Sequence, residues 1–236
     1  MSMTLKEMRD QVIADLDLED EDFIDSAGID KLINLGRRYA ERHVHNLYED
    51  YFLDEAIIPI TQGSSLISYP VDIYASKVRS IFFADGVGNS TSSHRVHREK
   101  DLTKAMTRDF YGSDSTNPLL TWHPVNQAVG GRKIRLFPIS GRTGNLHVWY
   151  IRNSLTLVND ADICDIDEFG DYIIQVAKRQ IYLNDGDPRA DDAKILEEEL
   201  EIELISTLSD MSPDGDNTID PDMSHYDDSS IDTGDC

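Results

Sequence analysis

The chain is poor in cysteine: Cys164 and Cys236 are its only two in 236 residues. Two cysteines cannot build a disulfide framework, nor a structural zinc site of the four-cysteine type. No apolar run approaches the roughly 20 residues that a membrane-spanning helix needs. Met1 to Asp10 is polar and amphipathic, which argues against a cleaved secretory leader. The sequence also lacks the short motifs of common chemistries. Gly141-Arg142-Thr143-Gly144 has neither the lysine nor the following helix of a phosphate loop, and there is no Gly-x-Ser-x-Gly elbow. Cys164 lies among Asp162, Asp165 and Asp167, which disfavour a thiolate. The sequence therefore assigns no catalytic, cofactor or metal-binding residue.

Basic residues are scarce outside the middle of the chain. The formal net charge is −23. Residues 1–76 carry 6 basic and 16 acidic side chains, and residues 153–208 carry 4 and 15. Residues 209–236 hold 9 aspartates and no lysine or arginine, whereas residues 77–152 reverse the balance with 12 basic and 5 acidic. A basic middle flanked by acidic ends suggests complementary surfaces, within one molecule or between neighbours. The candidate interface residues are Arg95, Arg98, Lys100, Lys104, Arg132, Lys133 and Arg135 on the basic side, and Asp214, Asp216, Asp220 and Asp222 on the acidic side.

Helical spacing marks both ends of the chain. Thr4 and Glu7 form a capping box for a helix beginning at Leu5, with Leu5, Met8, Val12, Ile13 and Leu16 on one face. Asp25 or Ser26 starts a second helix, in which Ile29, Leu32, Ile33, Gly36, Ala40, Val44, Leu47 and Tyr51 form the stripe. Arg37, Arg38, Glu41 and Arg42 are expected to face elsewhere. His43 and His45 share no face and read as packing or surface residues. Glu168 to Asn184 and Arg189 to Leu208 read as a third and a fourth helix, divided by Asp185-Gly186-Asp187-Pro188. In the fourth, Ala193, Leu196, Leu200, Leu204 and Leu208 point inward, and Glu197 to Glu203 crowd the outer face. Asp15, Asp17 and Glu19 resemble the start of a calcium loop, but Asp20 stands where Gly is wanted and Ser26 where Glu is wanted. An acidic surface loop is the expected reading.

The middle is β-type. Leu53 to Thr61 and Lys77 to Phe83 read as strands, and Pro70 excludes a central strand at that point. Asp85 to Ser93 is a loop, Glu99 to Asp109 a short helix, and Tyr111 to Val129 irregular. Lys133 to Arg152 contains two period-2 runs around a Gly-rich connection, which predicts a β-hairpin. The expected fold is α+β. An antiparallel helical bundle is drawn from both chain ends (3–52 and 159–208). An antiparallel β-rich unit (53–158) is inserted between them, and the acidic tail (209–236) is disordered or ordered by a partner.

The order of these segments resembles the head-to-tail adaptor, or connector, proteins of tailed bacteriophages. The likeness spans about residues 3–208. It runs through the Thr4-Leu-Lys-Glu-Met-Arg helix, the acidic loop ending Asp25-Ser26, and the Ile29–Tyr51 helix. It continues through Ile58-Pro-Ile-Thr-Gln-Gly-Ser-Ser and Tyr69-Pro-Val-Asp, Lys77-Val-Arg-Ser-Ile, Lys133-Ile-Arg-Leu-Phe-Pro, Leu146-His-Val-Trp-Tyr-Ile-Arg and the final helical pair. The resemblance implies a structural, non-enzymatic virion protein, made in the host cytoplasm and placed in the neck between capsid and tail. It implies a homo-oligomeric ring, commonly of twelve copies, that contacts the portal protein and tail or nozzle proteins. DNA would pass through its channel without specific binding, and no membrane is involved. Two other classes are open. One is a nucleic-acid-binding module using the basic segment 95–135, including Arg108. The other is a metal-dependent hydrolase using carboxylates between Asp160 and Glu168.

Overall fold

A computed structural model describes residues 2–17, 24–85, 93–101, 103, 104, 106, 121–127, 130–137 and 143–211. Of the expected helix at 99–109 only residues 99–101, 103, 104 and 106 are described, with 103, 104 and 106 helical, and of the tail only 209–211, which continue the last helix; Arg108, Asp214, Asp216, Asp220 and Asp222 lie outside the described residues.

The chain is mixed α+β. Helix α1 (Leu5–Leu16) starts where the capping box places it: Thr4 Oγ1 accepts from the Glu7 amide at 3.2 Å, and the Glu7 carboxylate accepts from the Thr4 amide at 2.8 Å. Helix α2 (Ser26–Leu47) is capped by Asp25, whose carboxylate accepts from the Gly28 amide at 2.8 Å. Helix α3 (Gly170–Asp185) ends at Gly186, whose φ of 73° gives the left-handed cap that favours glycine. Helix α4 (Arg189–Met211) follows directly. Among the described residues, these four helices share one hydrophobic cluster centred on Leu5, Met8, Ile33, Val44, Ile173, Ala177 and Leu208. Gly36 allows the tightest approach: a Cβ there would lie 2.6 Å from the Ile173 carbonyl oxygen, so α2 meets the backbone of α3.

Seven strands form one sheet in the order β1-β7-β3-β4-β5-β6-β2. They are β1 (Leu53–Ile60), β2 (Leu66–Ser68), β3 (Ile73–Asp85), β4 (Ser93–Arg98), β5 (Thr121–Gln127), β6 (Gly131–Phe137) and β7 (Gly144–Arg152). Although β1 and β2 are the two ends of that order, Ile60 and Ile67 join the same core as Ile81, Val96, Trp122, Ile134, Leu136 and Val148. The sheet is therefore curled around its inner face.

Three expectations fail here. The hairpin between β6 and β7 does not exist. β7 is sandwiched between β1 and β3, with Leu146 opposite both Ile58 and Phe83, while β6 lies between β5 and β2. Both runs are strands, but alternation defines the buried face and not the neighbour. Second, part of the stretch read as irregular is β5. Its Pro124 is tolerated because β5 pairs along its length with β6 but touches β4 only at Thr121 and Trp122, leaving the other edge free at the proline. Third, the unit is not wholly antiparallel, since that short β4–β5 contact is parallel.

Strand β3 is longer than its apolar pattern. Its pairing with β7 slips between Ile73 and Val78, and two consecutive residues there, Ala75 (φ 47°) and Ser76 (φ 60°), adopt left-handed backbone. For non-glycine residues this is a costly conformation of order 1 kcal/mol or more each. Ser76 Oγ accepts from Arg132 Nη1 at 2.9 Å, tying the bulge to β6.

Candidate interaction surface

Charged residues form two arrangements on either side of the sheet. The first is a junction between α2, the segment 152–165 and the sheet. Arg37 is 4% exposed, which corrects the expectation that it faces away from the core. Its Nη1 donates to the Ser154 carbonyl at 3.0 Å and also to Ser154 Oγ. Glu41 lies one turn on, 3.7 Å from Arg37, and its carboxylate accepts from the Ser154 amide at 2.7 Å. His45, a further turn on, is buried and stacks on Tyr74 at a centroid distance of 3.6 Å, with Phe52 at 5.2 Å. Burial pushes the Glu41 carboxyl up, but His45, the Ser154 amide and the Arg37 charge together hold it below the usual carboxylate range. The signal was present in the sequence: Arg37, Glu41 and His45 recur at four-residue spacing beside the buried Ala40 and Val44.

Around this junction cations meet carboxylates. Arg152 binds Asp165 and approaches Asp54 at 3.8 Å. Lys77 and Arg79 both bind Glu49, and Arg79 also reaches Asp50 at 2.7 Å. The Lys77 hydrogen bond, with Arg79 behind it, outweighs partial burial and keeps the Glu49 carboxyl low. Elsewhere Arg9 binds Asp30 and Asp160, Lys178 binds Asp15, and Arg179 binds Glu197. Glu197 is 8% exposed, so it does not belong to the outer face of α4 as expected. Leu196 of the same helix, expected inward, is 44% exposed.

The second arrangement is the outer face of β4, β5 and β6. Arg95 and His97 flank the buried Val96, and Lys133 and Arg135 flank the buried Ile134, so all four side chains point away from the core. The register adds His123 opposite Arg135. Arg98 and Arg132 lie on the core side but at its rim. Arg98 stacks 5.3 Å over the Trp122 ring, and burial pushes the Tyr69 hydroxyl up against the opposing influence of Arg98 and Arg132. Lys100 and Lys104 are exposed just beyond β4. Among the described residues, none of Arg95, Arg98, Lys100, Lys104, Arg132, Lys133 and Arg135 has a carboxylate within 4.0 Å. Lys133 donates to Ser68 Oγ at 2.7 Å, and the enclosed Arg135 Nε has no hydrogen-bond partner. Five of the seven basic candidates thus lie on β4 and β6, on two faces of the sheet, and Lys100 and Lys104 lie just beyond β4.

The carboxylates considered for a metal are engaged separately. Asp160 binds Arg9, Asp162 accepts from the Val158 and Asn159 amides at 2.7 and 2.8 Å, and Asp165 binds Arg152 and the Leu155 amide. No group of three metal-ligating side chains occurs among the described residues. A groove of about 420 Å³ separates the free edges of β1 and β2, lined by Ile58, Ile60, Leu66, Ile67 and Tyr69. A second, of about 370 Å³, lies between α3 and α4 and carries Glu168, Asp171 and Glu203.

No helix among the described residues is long and apolar enough to cross a membrane. A comparison with protein-family models finds no match, and neither does one with curated proteins.

Proposed function

We propose that this chain is a structural subunit of a head-to-tail adaptor ring, joining a portal to a tail in a virion neck. What supports this reading most is α4. Its Ala193, Leu204 and Leu208 pack inward, yet Ile195 and Ile202 are 58% and 68% exposed at seven-residue spacing. Two apolar sides on one 23-residue helix suit a helix that serves its own subunit with one face and a neighbour with the other. The helices of the two chain ends, packed as one bundle with the β unit projecting from it, would form the ring wall. The order of segments agrees with the adaptor pattern. The acidic balance of the whole chain would keep DNA from adhering inside a channel. The subunit works by packing and not by turnover.

The test is the mass of the purified protein, alone and mixed with portal protein. A closed ring gives a fixed multiple of 26.7 kDa. Ile202→Asp should abolish that multiple while leaving the helical circular dichroism unchanged. A chain that stays monomeric alone and with the portal overturns the reading.

The cations of β4 and β6, which have no carboxylate partner among the described residues, favour a second reading, a nucleic-acid-binding module. It requires the full chain to bind duplex DNA in a salt-sensitive way.

A further inference from the structure

The outer face of β4–β6 is the exception in a strongly acidic molecule. Away from it, most cations of the described structure have carboxylate partners, including Arg9, Arg37, Lys77, Arg79, Arg152, Lys178, Arg179 and Arg189. On it, Arg95, Lys133 and Arg135 have none among the described residues. Residues 212–236 present the complementary surplus: eight aspartates in 25 residues, with no lysine or arginine.

We propose that residues 212–236 dock in cis on the outer face of the chain's own sheet, with their aspartates pairing Arg95, Lys133 and Arg135. Three arguments support this occupant. The charges match in sign and density, and arginine offers a carboxylate two parallel hydrogen bonds. The reach is sufficient, because 25 residues extend up to roughly 80 Å. The radius of gyration of a compact chain of this length is only about 18 Å. A tethered segment also acts at an effective concentration of order millimolar, which favours it over a free partner at micromolar concentration. The docked tail acts as a polyanion that occupies the sites a phosphate backbone would otherwise take. This goes beyond the adaptor reading and does not depend on ring formation.

Carbodiimide joins a carboxylate to a lysine amine only when the two are in contact, so it reports the docked state in the full chain. At about 50 mM salt, aspartates of 212–236 should link to Lys133, Lys100 and Lys104 in product that runs as a single chain on a denaturing gel. Arg95→Glu with Arg135→Glu should cut that yield by roughly fivefold or more, as should about 500 mM salt, where screening is strong. Melting temperature and circular dichroism report whether the variant still folds. Changing the eight aspartates to asparagine in the full chain should also expose the basic face and raise its affinity for a 20-base-pair DNA duplex. Three results would overturn the proposal. Tail links could spread evenly over Lys6, Lys31, Lys178 and Lys194. They could appear only in products of two or more chains, which would mean docking in trans. Or the native chain could bind the duplex as tightly as the asparagine variant. Ring mass is a separate measurement, so failure here leaves the adaptor reading standing, and the reverse also holds.

Discussion

At the junction of helices and sheet, Arg37, Lys77, Arg79 and Arg152 each face a carboxylate. On β4 and β6, Arg95, Lys133 and Arg135 face none among the described residues. The two regions use the same side chains for different ends. Where a cation is enclosed between α2 and the sheet, as Arg37 is, an unpaired charge would cost several kcal/mol, so partners are built in; Lys77 and Arg79, with side chains 39% and 42% exposed, pair nearer the surface. On the outer face Arg95 is exposed, so water solvates it and no partner is needed for folding, while Lys133 and Arg135 are half-buried with no carboxylate beside them among the described residues. Pairing of Arg37 is thus a requirement of burial. The lack of it on β4–β6 is a degree of freedom left for something outside the folded core.

Substitutions in each region test this contrast. The largest effect is expected at Arg37. Arg37→Ala strips Ser154 and Glu41 of their buried partner and should cost about 3 kcal/mol, read as a fall in the urea midpoint at unchanged slope. Next is Arg179→Ala, which leaves Glu197 nearly enclosed without its guanidinium and should cost about 2 kcal/mol in the same measurement.

Acid should act on the carboxylates of the junction. Glu41 and Glu49 are both held below their ordinary range, so their carboxylates add stability that is fully present above the unfolded value of 4.5. That contribution is lost as pH falls through the lowered folded values. Glu49→Gln should therefore cost about 0.5 kcal/mol at pH 7, after allowance for its partly exposed partners, and nothing once the wild type is protonated. Urea midpoints from pH 7 to pH 3 would show the two curves converging.

The smallest effect is expected on the outer face. Arg95→Gln and Lys133→Gln should change stability by less than about 0.5 kcal/mol, with any gain at low salt vanishing at high salt. A loss comparable to that of Arg37→Ala would mean that the two regions do not differ in the way described.

How far the sequence carries can be read from particular residues. The start of α1 was legible because Thr4 and Glu7 satisfy amides within the same turn. The α3–α4 break was legible because Gly186 and Pro188 act through their own backbone geometry. The seven basic candidates were grouped by segment; five of them lie on β4 and β6, either side of β5, and Lys100 and Lys104 lie beyond β4. The junction was missed because Arg37 and Glu41 are polar, and hydrophobic periodicity assigns polar residues to solvent. They are inside because Ser154, more than a hundred residues away, supplies hydrogen bonds that no local pattern announces.

Spacing and composition alone were enough for the helices, the apolar faces of α1, α2 and α3, the strand character within 133–152, and the separation of basic from acidic segments. All of these depend on spacing or composition within a few turns of chain. Long-range contacts were needed to separate β6 from β7, to make Thr121–Gln127 a strand, to bury Arg37 and to turn Glu197 rather than Leu196 inward. Each of those depends on which distant segment supplies the missing hydrogen bonds. The period-2 pattern of a strand carries the identity of its buried face but not of its neighbours.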